Sequence, residues 1–153
     1  MIKIEKLSEN TIEEAKGLIR EYLDWINVDL GFQHVDEELA HFPEKYREPE
    51  GVFLVAREGD KVVGCVGIKK IGDGTCEMKR LFVKDGYKGR GIGKRLVDEI
   101  IKEAKCRGYS RMRLDSLKRM DRALILYRKF GFEVIGQYVE NPIEDAVFLE
   151  KKL

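Results

Sequence analysis

Apolar and polar positions alternate from Ile2 to Leu7 as in a short strand. From Asn10 the period changes, and Ile12, Ala15, Leu18, Ile19, Tyr22, Leu23 and Ile26 fall on one helical face. Asn10 is the expected N-cap, with Glu13 three residues on as in a capping box. A second short helix is predicted from near Asp36 toward Phe42-Pro43, inside a loop-rich stretch between Gly31 and Pro49 whose Phe32, Phe42 and Tyr46 need burial.

Val52 to Ala56 is an apolar strand, Glu58-Gly59-Asp60 a turn and Lys61 to Lys70 a second strand, which together make a hairpin. The turn Gly72-Asp73-Gly74 leads into a third strand, Cys76 to Val83. Leu96, Val97, Ile100, Ile101 and Ala104 then recur at helical spacing, with Gly108 in C-cap position, before a strand from Ser110 to Asp115. Strand, helix, strand in that order predicts a right-handed crossover that leaves the two strands parallel. A helix from about Met120 to Phe130 ends at Gly131, and Glu133 to Val139 and Ala146 to Lys151 close the chain as strands. The expected fold is a single α+β domain over residues 1–153, with a mixed, mostly antiparallel sheet of about seven strands and about four helices.

Composition narrows the function without deciding it. With 153 residues, 43% hydrophobic and 37% charged, the chain reads as one soluble globular domain. No run approaches the roughly 20 apolar residues of a membrane span, and Met1-Ile2-Lys3-Ile4-Glu5 lacks the apolar block of a secretory signal, so a cytoplasmic location is expected. Lys plus Arg (29) nearly balances Asp plus Glu (28), which leaves no overall electrostatic case for nucleic acid or membrane. Cys65, Cys76 and Cys106 show no CxxC pairing and read as reduced thiols, two of them in strands. His34 and His41 are isolated from any cluster at ligand spacing, so no metal is expected. Lys and Glu are abundant and Asn and Gln scarce, the bias of proteins from hot environments.

One segment carries chemistry. Gly89, Gly91 and Gly93 stand between a strand and a helix, where backbone comes close to a ligand and the first helical amides point outward. Lys79, Arg80, Lys84, Lys88, Arg90, Lys94 and Arg95 oppose only Asp85 in that stretch, so the local field is positive and a phosphorylated ligand is the natural guest. A Walker loop would need Ser or Thr after the lysine, and Gly93-Lys94 is followed by Arg95. A Rossmann turn would need GxGxxG at the end of a fully buried strand. The strand here carries Glu77, Lys79 and Arg80, charges expected to stay out of a covered sheet, and the glycine spacing differs.

The runs Met78 to Val83, Tyr87-Lys88-Gly89-Arg90-Gly91-Ile92-Gly93-Lys94-Arg95-Leu96 and Ala123-Leu124-Ile125-Leu126-Tyr127-Arg128-Lys129-Phe130-Gly131-Phe132 resemble the GNAT superfamily of acyl-CoA-dependent N-acyltransferases. The element order is similar over nearly the whole chain, and the specific motifs cover about residues 76–132. The resemblance implies a splayed parallel pair at the centre of the sheet. It implies an acetyl-CoA cosubstrate whose pyrophosphate rests on the segment Lys88, Gly89, Arg90, Gly91, Ile92, Gly93, Lys94 and Arg95, and whose pantetheine arm bonds the main chain of Leu81 and Val83. Lys88 departs from the Gln or Arg usual at the first motif position, and Met120 stands where an asparagine is common.

Acyl transfer from a thioester to an amine needs a neutral amine, stabilised charge on the carbonyl oxygen and a proton for the thiolate. The resemblance assigns the proton to Tyr127, the oxyanion to main chain near Phe82 and the base to Glu77, acting directly or through water. Asp115 and Ser116, at the end of the parallel partner strand, are rivals for positioning the amine. The expected activity is transfer of an acetyl group to an amine of a small molecule or peptide, the alternative being a non-catalytic acyl-CoA sensor. Tyr22, Trp25, Phe32, His34, Asp36 and Glu37 are candidates to line the acceptor region, with Asp24, Asp29 and Glu38 adding acidity suited to a cationic amine. Edge strands near the C-terminus would suit a homodimer.

Overall fold

The computed structural model describes residues 1–26 and 34–153. Its order is β1 (Ile2–Lys6), α1 (Ile12–Ile26), α2 (Val35–Ala40), a 3₁₀ turn (Glu44–Tyr46), β2 (Val52–Glu58), β3 (Lys61–Gly72), β4 (Thr75–Val83), α3 (Ile92–Cys106), β5 (Arg111–Leu117), α4 (Asp121–Lys129), β6 (Glu133–Ile135) and β7 (Ala146–Lys152). The strands form one seven-stranded sheet in the order β1-β2-β3-β4-β5-β7-β6, with every pair antiparallel except β4 and β5. This is the expected α+β architecture. Phe32, Asp29 and Gly31 lie outside the described residues.

Period-2 burial divides the sheet into two faces. Leu54, Val66, Ile68, Met78, Met112 and Leu149 pack under the apolar stripe of α3, Leu96, Val97, Ile100 and Ala104, with α4 beside it. Phe53, Val55, Val62, Cys65 and Phe82 pack against Ala15, Leu18 and Ile19 of α1. Each such aliphatic or aromatic side chain contributes roughly 1.5–3 kcal/mol by leaving water. Phe42, Tyr46 and Phe53 form an aromatic triad with ring centroids 5.0 to 6.2 Å apart. It closes over Gly67, where an added Cβ would lie 2.6 Å from the Phe53 ring.

Two boundaries and one burial pattern differ from expectation. The start of α1 is set by Thr11 rather than Asn10: the Thr11 carbonyl accepts from Ala15 N–H at 2.9 Å, and its hydroxyl accepts from Ser8 N–H at 3.0 Å, while Asn10 is exposed. The strand expected from Glu133 to Val139 stops at Ile135, because Gly136 follows and the chain leaves the sheet before returning as β7 between β5 and β6. The charges of β4 are not at the surface: Glu77, Lys79 and Arg80 are 3%, 9% and 5% exposed. Burial is tolerated because each has an opposite charge within reach.

The feature that shapes the site is an opening between β4 and β5. Their parallel ladder holds only Thr75↔Arg111, Cys76↔Met112 and Glu77↔Arg113, although β4 runs on to Val83 and β5 to Leu117. The cause lies on the other edge of β4. The β3–β4 register passes from Gly67↔Lys79 to Cys65↔Phe82, so β4 carries an extra residue, a β-bulge, and Arg80 there has φ +61°. A left-handed arginine costs roughly 1–2 kcal/mol and persists only where its surroundings hold it. Glu38 of α2 does so, accepting from Arg80 Nε at 3.0 Å and Nη2 at 2.9 Å.

Candidate active site

The turn from β4 into α3 bends through Gly89 (φ +84°) and Gly91 (φ +77°), a region that side chains enter only at a cost. Gly91 precedes Ile92 at the N-terminus of α3 without a side chain to cap it, so the amides of the first turn remain available to an anion. A cavity of about 580 Å³ opens beside them. Of the residues that the resemblance assigned to the cofactor, Leu81, Phe82, Val83, Lys88, Gly89, Gly91, Ile92, Gly93 and Lys94 line it. Arg90 and Arg95 do not. Arg90 stacks 4.8 Å from the Tyr87 ring and faces Glu58 at 3.6 Å, and Arg95 donates to the Ile2 carbonyl at 3.0 Å.

Other cations border the cavity. Arg119, Arg122 and Lys129, from the start and end of α4, line the opposite wall. The basic run Lys118-Arg119-Met120-Asp121-Arg122 was the signal that could have found two of them. Lys88 holds its ammonium 4.3 Å above the Trp25 ring and 5.4 Å above Phe82, a use of the irregular first motif position that tethers α1 to the turn. Arg80 and Lys84, by contrast, spend their charge elsewhere, on Glu38 and Glu21, while Lys79 stands 3.9 Å from Glu77.

Tyr22, Leu81, Met120 and Ala123 also line a second, smaller cavity of about 70 Å³, which occupies the opening between β4 and β5. The two spaces therefore adjoin along β4, with these four side chains between them. Tyr127 projects from α4 into the smaller one, 7% exposed, its ring 5.7 Å from Phe132. It both packs in the core and faces the cleft. Burial, reinforced by Tyr22 and Asp115, pushes its phenol well above the ordinary tyrosine range, so it stays protonated at neutral pH. Asp115 of β5 and Lys79 of β4 line the same cleft. Ser116, also on its wall, bonds Met120 Sδ at 3.7 Å.

Glu77 sits just outside this cleft. Its carboxylate accepts the Tyr138 hydroxyl at 2.6 Å and has Lys69 Nζ at 3.8 Å and Lys79 Nζ at 3.9 Å. Burial and the neighbouring Glu77 push the Tyr138 phenol far up, so Tyr138 is the donor in that bond. Tyr138 was missed by sequence reasoning, as was Asn141, whose amide donates to Asp115 Oδ2 at 3.1 Å. Both belong to the stretch between β6 and β7, where no local motif marks them. Among the acidic residues considered for the acceptor region, Glu38 is committed to Arg80, Lys45 and Tyr46, and Asp24, Asp36 and Glu37 are exposed. His34 and His41 are exposed too, and no group of three potential metal ligands occurs among the described residues. No helix of the described residues is long and apolar enough to cross a membrane.

A family model described as the acetyltransferase (GNAT) family matches residues 19–132 of the chain. The chain belongs to the GNAT family. An uncharacterised N-acetyltransferase of Schizosaccharomyces pombe is 42% identical over 93% of this chain and 88% of its own. A GNAT-family acetyltransferase from Staphylococcus aureus Mu50 shares the fold with a TM-score of 0.83 at 23% identity, covering 99% of both chains. The PaiA N-acetyltransferase of Thermoplasma acidophilum, solved in complex with coenzyme A, has a TM-score of 0.74 at 25% identity, covering 100% of this chain and 99% of its own. As a GNAT member the chain is an N-acetyltransferase that uses acyl-CoA. Its residues fit that donor, since uncapped helix amides and cations lie beside a largely apolar cavity that adjoins the cleft faced by a buried phenol.

Proposed function

We propose that the chain transfers an acetyl group from acetyl-CoA to the amine of a small molecule or peptide by direct attack on the thioester. The observation that carries this reading is the adjacency of the two cavities, one beside the amides at Gly91–Lys94 and the other faced by Tyr127 in the opening of the sheet, with Leu81 in the wall of both. Main-chain groups of β4 beyond Glu77 have no β5 partner, which leaves Leu81 and Val83 free to bond an extended chain as an added strand would.

The acceptor approaches from the α1 side of the sheet. Its nitrogen forms a C–N bond to the thioester carbon as the C–S bond breaks. Tyr127 gives its proton to the departing sulfur, and the amine proton leaves through water toward Glu77. Free thiol and an amide are the products, and Tyr127 is reprotonated from solvent. Free-thiol release from acetyl-CoA, followed over a panel of amines, amino acids, polyamines and peptides, tests this. Release that depends on one class of amine, and that falls in Tyr127→Phe, is expected. Absence of amine-dependent release across the panel would overturn it.

A further inference from the structure

We infer that the acceptor is an amino carboxylate, held with its carboxylate on Lys79 and its amine beside Asp115. The inference rests on the acetyl-transfer reading and names its substrate class. Glu77↔Arg113 is the last pair of the parallel ladder, so Lys79 and Asp115 come next on the same face of the sheet, one on each lip of the opening. Both line the cleft that Tyr127 faces.

Each lip carries an incompletely met charge. The Lys79 side chain is 8% exposed, and its nearest carboxylate oxygen, Glu77 Oε1, is 3.9 Å away, beyond hydrogen-bond distance. That oxygen is shared with Lys69 at 3.8 Å, while the other oxygen of Glu77 takes the Tyr138 hydroxyl. Two ammonium groups thus converge on one carboxylate. No hydrogen bond joins Lys79 Nζ to a described residue, and the atom is not sealed from solvent, so its donors are open to the cleft. Burial pushes it below the ordinary lysine range, against the pull of Glu77 and Asp115, as expected for an ammonium short of a partner. Arg80, the neighbouring cation, is already bound to Glu38.

Asp115 is the complement. Asn141 bonds one of its oxygens at 3.1 Å and fixes the carboxylate at the cleft wall, where the second oxygen can accept from an amine. A plain amine would satisfy Asp115 and leave Lys79 unmet. A plain carboxylate offers no nucleophile. A molecule with both groups meets both lips and sets its nitrogen at the end of the cleft where Tyr127 lies. Tyr22, Ile26 and Ile143 on the same wall accept an apolar side chain.

The test compares glycine, alanine, methionine and phenylalanine with their primary amides and decarboxylated amines, using thiol release from acetyl-CoA. The wild-type chain is expected to favour at least one free amino acid over its amide and amine by about thirtyfold or more in kcat/KM, the scale set by a buried charge-assisted hydrogen bond. Lys79→Met should erase that preference by raising KM for the acid far more than KM for its amide, and Lys79→Arg should keep most of it. Equal or better use of the amides or amines by the wild type would overturn the inference and leave the acetyl-transfer reading standing. No release with any amine would overturn both. The wild-type comparison needs no variant, so a folding defect in Lys79→Met does not obscure it.

Discussion

The donor side and the acceptor side of the opening are built in opposite ways. On the proposed donor side most of the candidate ligand groups come from one short stretch, Lys88 to Lys94, and from the main chain of β4, with Arg119, Arg122 and Lys129 across a cavity that is open and mostly apolar. On the acceptor side the charges are buried and come from distant places: Glu38 from α2, Lys69 from β3, Glu77 to Arg80 from β4, Asp115 from β5, and Tyr138 and Asn141 from the chain between β6 and β7. A donor shared by many relatives needs only amides and cations. An acceptor that distinguishes one amine from another needs a preorganised polar lining, and such linings are assembled by tertiary structure. The difference predicts separable effects.

The largest effect is on stability. Arg80→Ala leaves the Glu38 carboxylate buried without its main partner and should cost about 3–5 kcal/mol, seen as a fall in the denaturation midpoint. The paired replacement Glu38→Leu with Arg80→Met should recover most of it. Burial alone would raise the Glu38 pKa, but the hydrogen bonds and charge of Arg80, with Lys45, outweigh it and hold the group below its ordinary 4.5. A lowered carboxylate stabilises the fold above its unfolded pKa, and that contribution is lost as pH falls through the folded value. Glu38→Gln should therefore flatten the acid limb of stability below about pH 4.5.

Next in size, Tyr127→Phe should lower kcat by about 10²–10³ while the Kd for CoA moves less than about threefold, since the lost group is a general acid and not a binding contact. Because the phenol is held protonated, kcat should show no alkaline fall from this group up to about pH 10. Gly91→Val forces a β-branched residue to φ +77° and should weaken CoA binding by about 10- to 100-fold in calorimetry, with kcat at saturation largely kept. Smallest of the four, Lys88→Ala should weaken CoA only about two- to fivefold, because a partly exposed cation above Trp25 adds roughly 0.5–1 kcal/mol. If Gly91→Val changed amine preference, or Lys79→Met changed CoA affinity, the division between the two sides would fail.

Much of the fold was legible because it rests on local signals. Helical stripes such as Leu96, Val97, Ile100, Ala104 and turns such as Gly72-Asp73-Gly74 depend only on neighbours. The glycine turn was legible for the same reason. What stayed hidden depends on pairing across the chain. Glu77, Lys79 and Arg80 look too polar to bury until Glu38, Tyr138 and Asp115 are placed around them. Tyr138 read as part of a strand because its alternation continued past Gly136, and no local pattern says that β7 will take the position beside β5. Arg90 and Arg95, two cations of the motif, turn outward because Glu58, Tyr87 and the Ile2 carbonyl from the far edge of the sheet hold them.

The central claim is the proposal that an acyl-CoA spans the two adjoining cavities, from the glycine turn to Tyr127. The most direct measurement is calorimetric titration of the wild-type chain with CoA, repeated with Gly91→Val and Tyr127→Phe. The account predicts one CoA per chain, clear weakening in Gly91→Val and near-unchanged affinity in Tyr127→Phe. No binding to the wild type, or equal binding to it and to Gly91→Val, would contradict it.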